Sequence, residues 1–449
     1  MPIFGRRKLQ YMFDELGPHL TRAKATDLLK RIDNEDPDQA LPGEYELALA
    51  WAVSRVADLE IDRRCGCRTP DIYSRNLMKS QPLVAEVAAL SDDPFSGESL
   101  MRRAANIINA VAARIVKEAP EHLHYEFLEE SGFLPADRHS NGFTRYFRRR
   151  CITRKFHADE SLERALRGWL KSNPETQPLR WRTSEIDVGI TWKDRVHPMA
   201  NTFSSMPSVT YDVRENALYD RLKAKARQLE GVEPGVFKAI FLGDAGCRLL
   251  RDVRPISRGR EVSGEQIIHY FLDRNPIDLV VVFVPKRVDE NALWNHDNPR
   301  MWFVYVYSKS ISDESEVEGI NTIANVLPSP YLHGYQARSW HQQRMCDPRG
   351  RGHYVPAKWT GGRGIMKVHI SARGLQEYMA GRLTAGQLKH FIVGDHNPFE
   401  GALRKGKTIK AVTFQAKGID QDDDYLIFEF EDDPAARPLE LPSNLAAKD

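Results

Sequence analysis

Leu83-Val84-Ala85-Glu86-Val87-Ala88-Ala89-Leu90 is an apolar run interrupted by one carboxylate, and Pro70-Asp71-Ile72-Tyr73 stands a short way before it. A run of this length and composition predicts a β-strand. Ionised Glu86 inside such a strand costs several kcal/mol unless it is paired or bound to a metal. It therefore requires a partner. Pro70-Asp71 opens a second predicted strand, so the two segments bring two acids to one edge of a sheet.

Working outward, Leu49, Ala50, Val53 and Val56 recur at helical spacing and predict an amphipathic helix over 44–57, after punctuation at Pro42-Gly43. Glu46 falls on its apolar stripe, with Arg55 or Arg64 as possible ion-pair partners. Glu44, about 200° further round at 100° per residue, reads as a first-turn residue facing solvent. Other helices are predicted over 22–32, 96–119, 158–171, 216–229, 371–379 and 384–391. Strands are predicted over 186–192, 209–213, 237–242, 277–284, 301–307, 365–370, 409–414 and 425–431. In the helix over 216–229 the stripe is Leu218, Leu222, Ala226 and Leu229, and Lys225 lies within it whereas Lys223 points away. A lysine so placed either snorkels to an edge or reaches a buried anion. Gln228 lies beside it, one turn on.

Two segments are basic and aromatic. Arg145 to Lys155 contains Arg148, Arg149 and Arg150 with Tyr146 and Phe147, and no acid. Residues 333–363 carry Arg349, Arg351 and further cations among Tyr335, Trp340, Tyr354 and Trp359, with several glycines. Such runs can neutralise phosphates and stack on bases. Their plainer reading is a solvated face, a sheet edge paired to acids, or a loop packed by its aromatics.

The chain has 449 residues, long enough for two or three domains. The boundaries read as a helical lead over 1–42 and an α/β core over 43–310 with a helical, basic insertion at about 120–205. A loop or linker over 311–364, a small α/β module over 365–438 and a tail over 439–449 follow. Five scattered cysteines argue against a disulfide framework and fit a reducing compartment. No apolar stretch is long enough for a membrane span or a signal peptide, so the expected location is the cytoplasm. A net charge of +2 leaves local basic clusters to decide affinity for nucleic acid.

The order of a helix bearing Glu46, a turn and strand bearing Pro70-Asp71, and a strand bearing Glu86-Val87-Ala88 resembles the core of the PD-(D/E)xK nucleases. The resemblance implies a restriction-endonuclease-like mixed sheet in an α/β fold. It also implies Mg²⁺ or Mn²⁺ held by Asp71, Glu86 and Glu46, and hydrolysis of phosphodiester bonds in DNA more than RNA. Hard carboxylate oxygens suit that ion, and the ion suits that reaction. One departure matters: the family's lysine two residues after the second acid is Ala88 here. Some members take it from a neighbouring helix, which makes Lys225, with Gln228, the expected replacement. Stand-alone nucleases of this kind occur in bacterial antiviral defence and DNA processing, alone, as homo-oligomers or with a partner protein. The alternative is an inactive nuclease fold that binds nucleic acid or scaffolds a complex. A third reading makes the acids purely structural, with Asp71 a turn residue and Glu86 an ion-pair partner.

Overall fold

The structure, a computed structural model, describes residues 3–435 except 35–36, 93–96, 136–144, 173, 195–201, 204–209, 252–260, 288–299, 310, 312, 331–356, 363–364, 382–396, 420–423 and 434. Three helices lead the chain: α1 (Arg6–Leu16), α2 (Arg22–Ile32) and α3 (Pro37–Val56). Thr21 caps α2 by accepting the Lys24 backbone N–H at 3.2 Å, and the helix has its expected bounds. α3 departs from expectation. It begins at Pro37 and runs through Pro42, and nearly every residue from Ala40 to Val53 is buried. It is a core helix, buried on nearly all sides, rather than an amphipathic surface helix.

The covering layer explains the difference. α1 and α2 pack on α3 from one side and the central sheet from another. A Cβ added to Gly43 would sit 3.1 Å from Ile32 Cγ1, so Pro42-Gly43 marks a close crossing of helices and not a break. Glu44 is not solvent-facing as expected. It is fully buried, and its Oε2 accepts the backbone N–H groups of Ile3 at 2.8 Å and Phe4 at 3.3 Å. The segment before α1 needs acceptors where it crosses the core, and the carboxylate supplies them.

β1 (Ile72–Ser74) and β2 (Leu83–Leu90) are antiparallel, with Ile72 opposite Ala85. A large insertion follows: α4 (Glu98–Ile115), β3 (Leu123–Phe127), β4 (Glu129–Leu134), β5 (Arg145–Arg150), α5 (Glu160–Ser172), β6 (Leu179–Arg182), β7 (Asp187–Trp192) and β8 (Thr202–Phe203). The segment expected to be helical is mostly strand. A sheet in the order β6-β7-β3-β8 carries the ribbon β4-β5 beside it and has its own core, with Ile108, Tyr125, Leu166 and Val188. Of the strand expected over 209–213, residues 210–213 are irregular and residue 209 lies outside the described residues.

The chain then returns through α6 (Ala217–Gln228), β9 (Phe237–Asp244), α7 (Gly264–Leu272), β10 (Leu279–Arg287), β11 (Arg300–Ser308) and α8 (Glu318–Val326). The central sheet runs β1-β2-β9-β10-β11, with β2, β9 and β10 parallel and both edges antiparallel. Leu83, Ala85, Val87, Phe241 and Val281 face the core that contains α3, while Val84, Ala88, Ile240 and Val282 face α6 and α7. Helices on both faces of a mixed sheet make an α/β fold. α8 lies where a loop was expected, and its Ile320 and Ile323 are buried against the α3 side.

A second sheet, β12-β13-β15-β14, is built from β12 (Ala357–Gly362), β13 (Ile365–Ser371), β14 (Lys407–Gln415) and β15 (Tyr425–Asp432). This module starts ahead of the expected residue 365. The helix expected over 384–391 lies outside the described residues. Arg7 grips Asp424 with both terminal nitrogens, at 3.1 and 2.8 Å, tying the module to α1.

Two glycines make opposite predictions. A Cβ at Gly243 would overlap the ring of Tyr45, whose hydroxyl donates to Asp244 O at 2.6 Å. Gly243→Ala should cost about 3 kcal/mol, since an overfilled core must shift backbone or rotamers. Gly168 sits in α5 with nothing near its missing Cβ, so Gly168→Ala should stabilise by roughly 1 kcal/mol through helix propensity. Denaturant midpoints of both variants check the pair; equal shifts of one sign would contradict the packing.

Candidate active site

Side-chain alternation along β2 puts Glu86 on the same face as Val84 and Ala88, toward α6. Asp71 immediately precedes β1, and the register Ile72 to Ala85 sets it opposite Glu86. α6 lies on this face through Leu218, Leu222 and Ala226, so Lys225, beside Ala226, is carried to the same place. Its Nζ donates to Glu86 Oε2 at 2.8 Å and lies 3.5 Å from Asp71 Oδ2. Asp71 Oδ2 also accepts the Val87 backbone N–H at 2.9 Å, which fixes the carboxylate at the sheet edge.

Glu46 reaches the group from α3. Its partners are not Arg55 or Arg64 but two cations of α2: Lys24 Nζ lies 2.7 Å from Oε1, and Arg31 donates to Oε2 at 2.7 Å. Lys24 also lies 3.4 Å from Asp71 Oδ1. Each oxygen of Asp71 therefore faces one lysine. The result is a line of alternating charge, Arg31, Glu46, Lys24, Asp71, Lys225 and Glu86. A signal for Lys24 and Arg31 was present in the sequence. Lys24 precedes the buried Leu28 by one turn and Arg31 adjoins the buried Ile32, the same placement on an apolar stripe that singles out Lys225.

Asp62 approaches Lys24 from a loop, at 4.0 Å. Its φ of 57° is left-handed, a conformation Asp tolerates better than most residues. Its carboxylate accepts the Thr21 hydroxyl at 3.2 Å, so the loop holds the start of α2 and, with it, Lys24.

Burial shapes the charges. It opposes ionisation of Asp71, but Lys225, then Lys24 and the Val87 N–H, outweigh it and hold the carboxyl below its ordinary value. Glu86 goes the other way. Burial first and Asp71 second push it up to about 7, against the pull of Lys225. Lys24 is penalised by burial, yet Glu46 and then Asp71 raise its pKa. Two adjacent carboxyls driven apart in this way are a recurrent feature of sites that move protons or bind cations.

The donor set suits a hard divalent cation: three anionic side chains, of which Glu46 and Glu86 are 6% exposed and Asp71 14%. Glu46 Oε1 is buried, and its contact is the Lys24 ammonium at 2.7 Å. In this arrangement, however, ammonium groups stand between the acids. Among the described residues no three acidic, histidine or cysteine side chains converge in metal-ligand geometry. Gln228 is exposed at the end of α6.

The basic run took its plainer form. Arg148 donates to both oxygens of Glu129, at 2.8 and 2.7 Å, and Arg149 pairs with Glu130, across the ribbon β4-β5. Arg149 remains largely exposed, and Arg150 lies beside Gly97. Arg349 and Arg351 lie outside the described residues. Among the described residues no helix is long and apolar enough to cross a membrane.

The chain matches no model of a known protein family. A comparison with curated proteins likewise found no match.

Proposed function

We propose that the chain is a metal-dependent nuclease of the PD-(D/E)xK type, cleaving phosphodiester bonds of nucleic acid, with DNA favoured over RNA. The observation that carries this reading is Lys225, whose Nζ sits 2.8 Å from Glu86 and 3.5 Å from Asp71, while the family's lysine position holds Ala88. A Mg²⁺ or Mn²⁺ ion held by Asp71, Glu86 and Glu46 would polarise a phosphoryl oxygen and acidify a bound water. Lys225 would offset the charge that builds on the phosphate, as a fixed cation in a partly dry site does better than water. Gln228, exposed at the end of α6, would orient the bound water. Arg149 and Arg150 would contact the phosphate backbone. A setting in antiviral defence or DNA processing, a cytoplasmic location and a homo-oligomer or protein partner belong to the same reading.

The charge balance of the site favours a second reading, an inactive nuclease fold that binds nucleic acid or scaffolds a complex. The test is incubation with linear, circular and single-stranded DNA and with RNA, in Mg²⁺, Mn²⁺ or EDTA. Cleavage that needs the metal is expected. Binding without cleavage would move the second reading ahead, and neither would remove both.

A further inference from the structure

Between Glu46 and Asp71 lies a position that can hold one cation, and a side chain already fills it. Lys24 Nζ is 2.7 Å from Glu46 Oε1 and 3.4 Å from Asp71 Oδ1. Its side chain is 16% exposed, and its helix is fixed nearby by the Thr21 cap and by Asp62. Like the bond of Lys225 to Glu86 at 2.8 Å, the contact to Glu46 is a short one between an ammonium and a buried carboxylate. Lys24 thus spans two carboxylates from different elements, Glu46 of α3 and Asp71 just before β1. A divalent cation suits the same position, since it takes several carboxylate oxygens at once.

We propose that Lys24 is a built-in counter-ion that a divalent metal must displace from between Glu46 and Asp71, so that metal binding and the position of the Lys24 side chain are mutually exclusive. The proposal rests on the nuclease reading only in taking the metal to be divalent and bound by carboxylates. In the metal-free chain Lys24 neutralises the acids and keeps Glu46 and Asp71 from repelling each other. When the metal enters, the ammonium swings outward. Arg31 stays on the second oxygen of Glu46, at 2.7 Å, and holds the carboxylate in place for either cation.

The experiment measures metal binding rather than cleavage. Mn²⁺ is titrated into wild type, Lys24→Met and Lys24→Gln by calorimetry, and melting temperatures are taken with Mn²⁺ and with EDTA. Loss of one positive charge beside two carboxylates should tighten Mn²⁺ binding by about tenfold or more, even at a screened interaction of about 1.4 kcal/mol. In EDTA both variants should melt below wild type, and Mn²⁺ should recover more of the melting temperature in them than in wild type. Lys24→Arg, which keeps the charge, should bind Mn²⁺ no more tightly than wild type. Unchanged or weaker Mn²⁺ binding in folded Lys24→Gln, or equally tight binding in Lys24→Arg and Lys24→Met, would overturn the proposal. Should the chain bind Mn²⁺ in this manner and cleave nothing, the nuclease reading fails while the counter-ion role stands.

Discussion

Asp71→Asn is expected to remove metal-dependent cleavage, by about three orders of magnitude or more. A lost metal ligand forfeits several kcal/mol of charge stabilisation in the barrier, and each 1.36 kcal/mol is about a factor of ten in rate. Asparagine keeps the size of the side chain and an oxygen for the Val87 N–H, a bond of 2.9 Å here, so the fold should survive. Lys24 and Lys225 retain Glu46 and Glu86 as partners. Glu86→Gln should behave alike. Single-turnover cleavage with circular dichroism on the same samples is the measurement. Wild-type rates in either folded variant would show that the residue is no ligand.

Lys225→Met carries the second large effect, a fall in cleavage of about a hundredfold, the usual cost of removing one preorganised donor from a developing anion. Lys223, which is exposed on the same helix, should be replaceable by Met without loss. A readout in EDTA separates charge stabilisation from folding. Burial and Asp71 raise Glu86 from an ordinary 4.5 to about 7, and Lys225 holds it from going higher. The folded state therefore binds a proton that the unfolded state has released, and stability from this group falls as pH rises from the unfolded value through the folded one. Without Lys225 the folded value climbs further and the decline steepens. The gap in melting temperature between wild type and Lys225→Met should widen from about pH 6 to about pH 8. A gap that is constant or narrows with pH would mean that Lys225 does not compensate Glu86.

The central elements were legible because their burial is one-dimensional. An apolar run of eight residues has the length of a strand rather than of a helix, and β2 spans Leu83–Leu90 as read. Lys225 could be placed because a cation on a helix stripe must follow the stripe. Lys24 obeys the same rule, but nothing in the pattern of α2 shows that the helix packs beside the acids. Glu44 departs from expectation for a related reason: the polar face of a helix shows in sequence, but a second layer covering that face, here Ile3 and Phe4, does not. The ribbon beside the inserted sheet is obscured by composition. Charged strands such as β4 and β5 pair Glu129 with Arg148 across the ribbon, and a strand stabilised in that way carries no apolar alternation to detect.

The insertion also separates the halves of the central sheet in time. β2 pairs with β9 from Leu83 to Phe237 onward, and Glu86 meets Lys225 139 residues downstream. On a ribosome the eight buried residues of β2 emerge long before their neighbouring strand and before the ammonium that balances their carboxylate. Until then β2 is an apolar, β-prone segment with one open edge, the type of sequence that nucleates aggregation. The inserted sheet, with a core of its own, can fold in that interval. A nascent chain halted before α6 would thus display a finished insertion beside an exposed, sticky strand. Chaperone engagement should therefore concentrate on the stretch around Glu86.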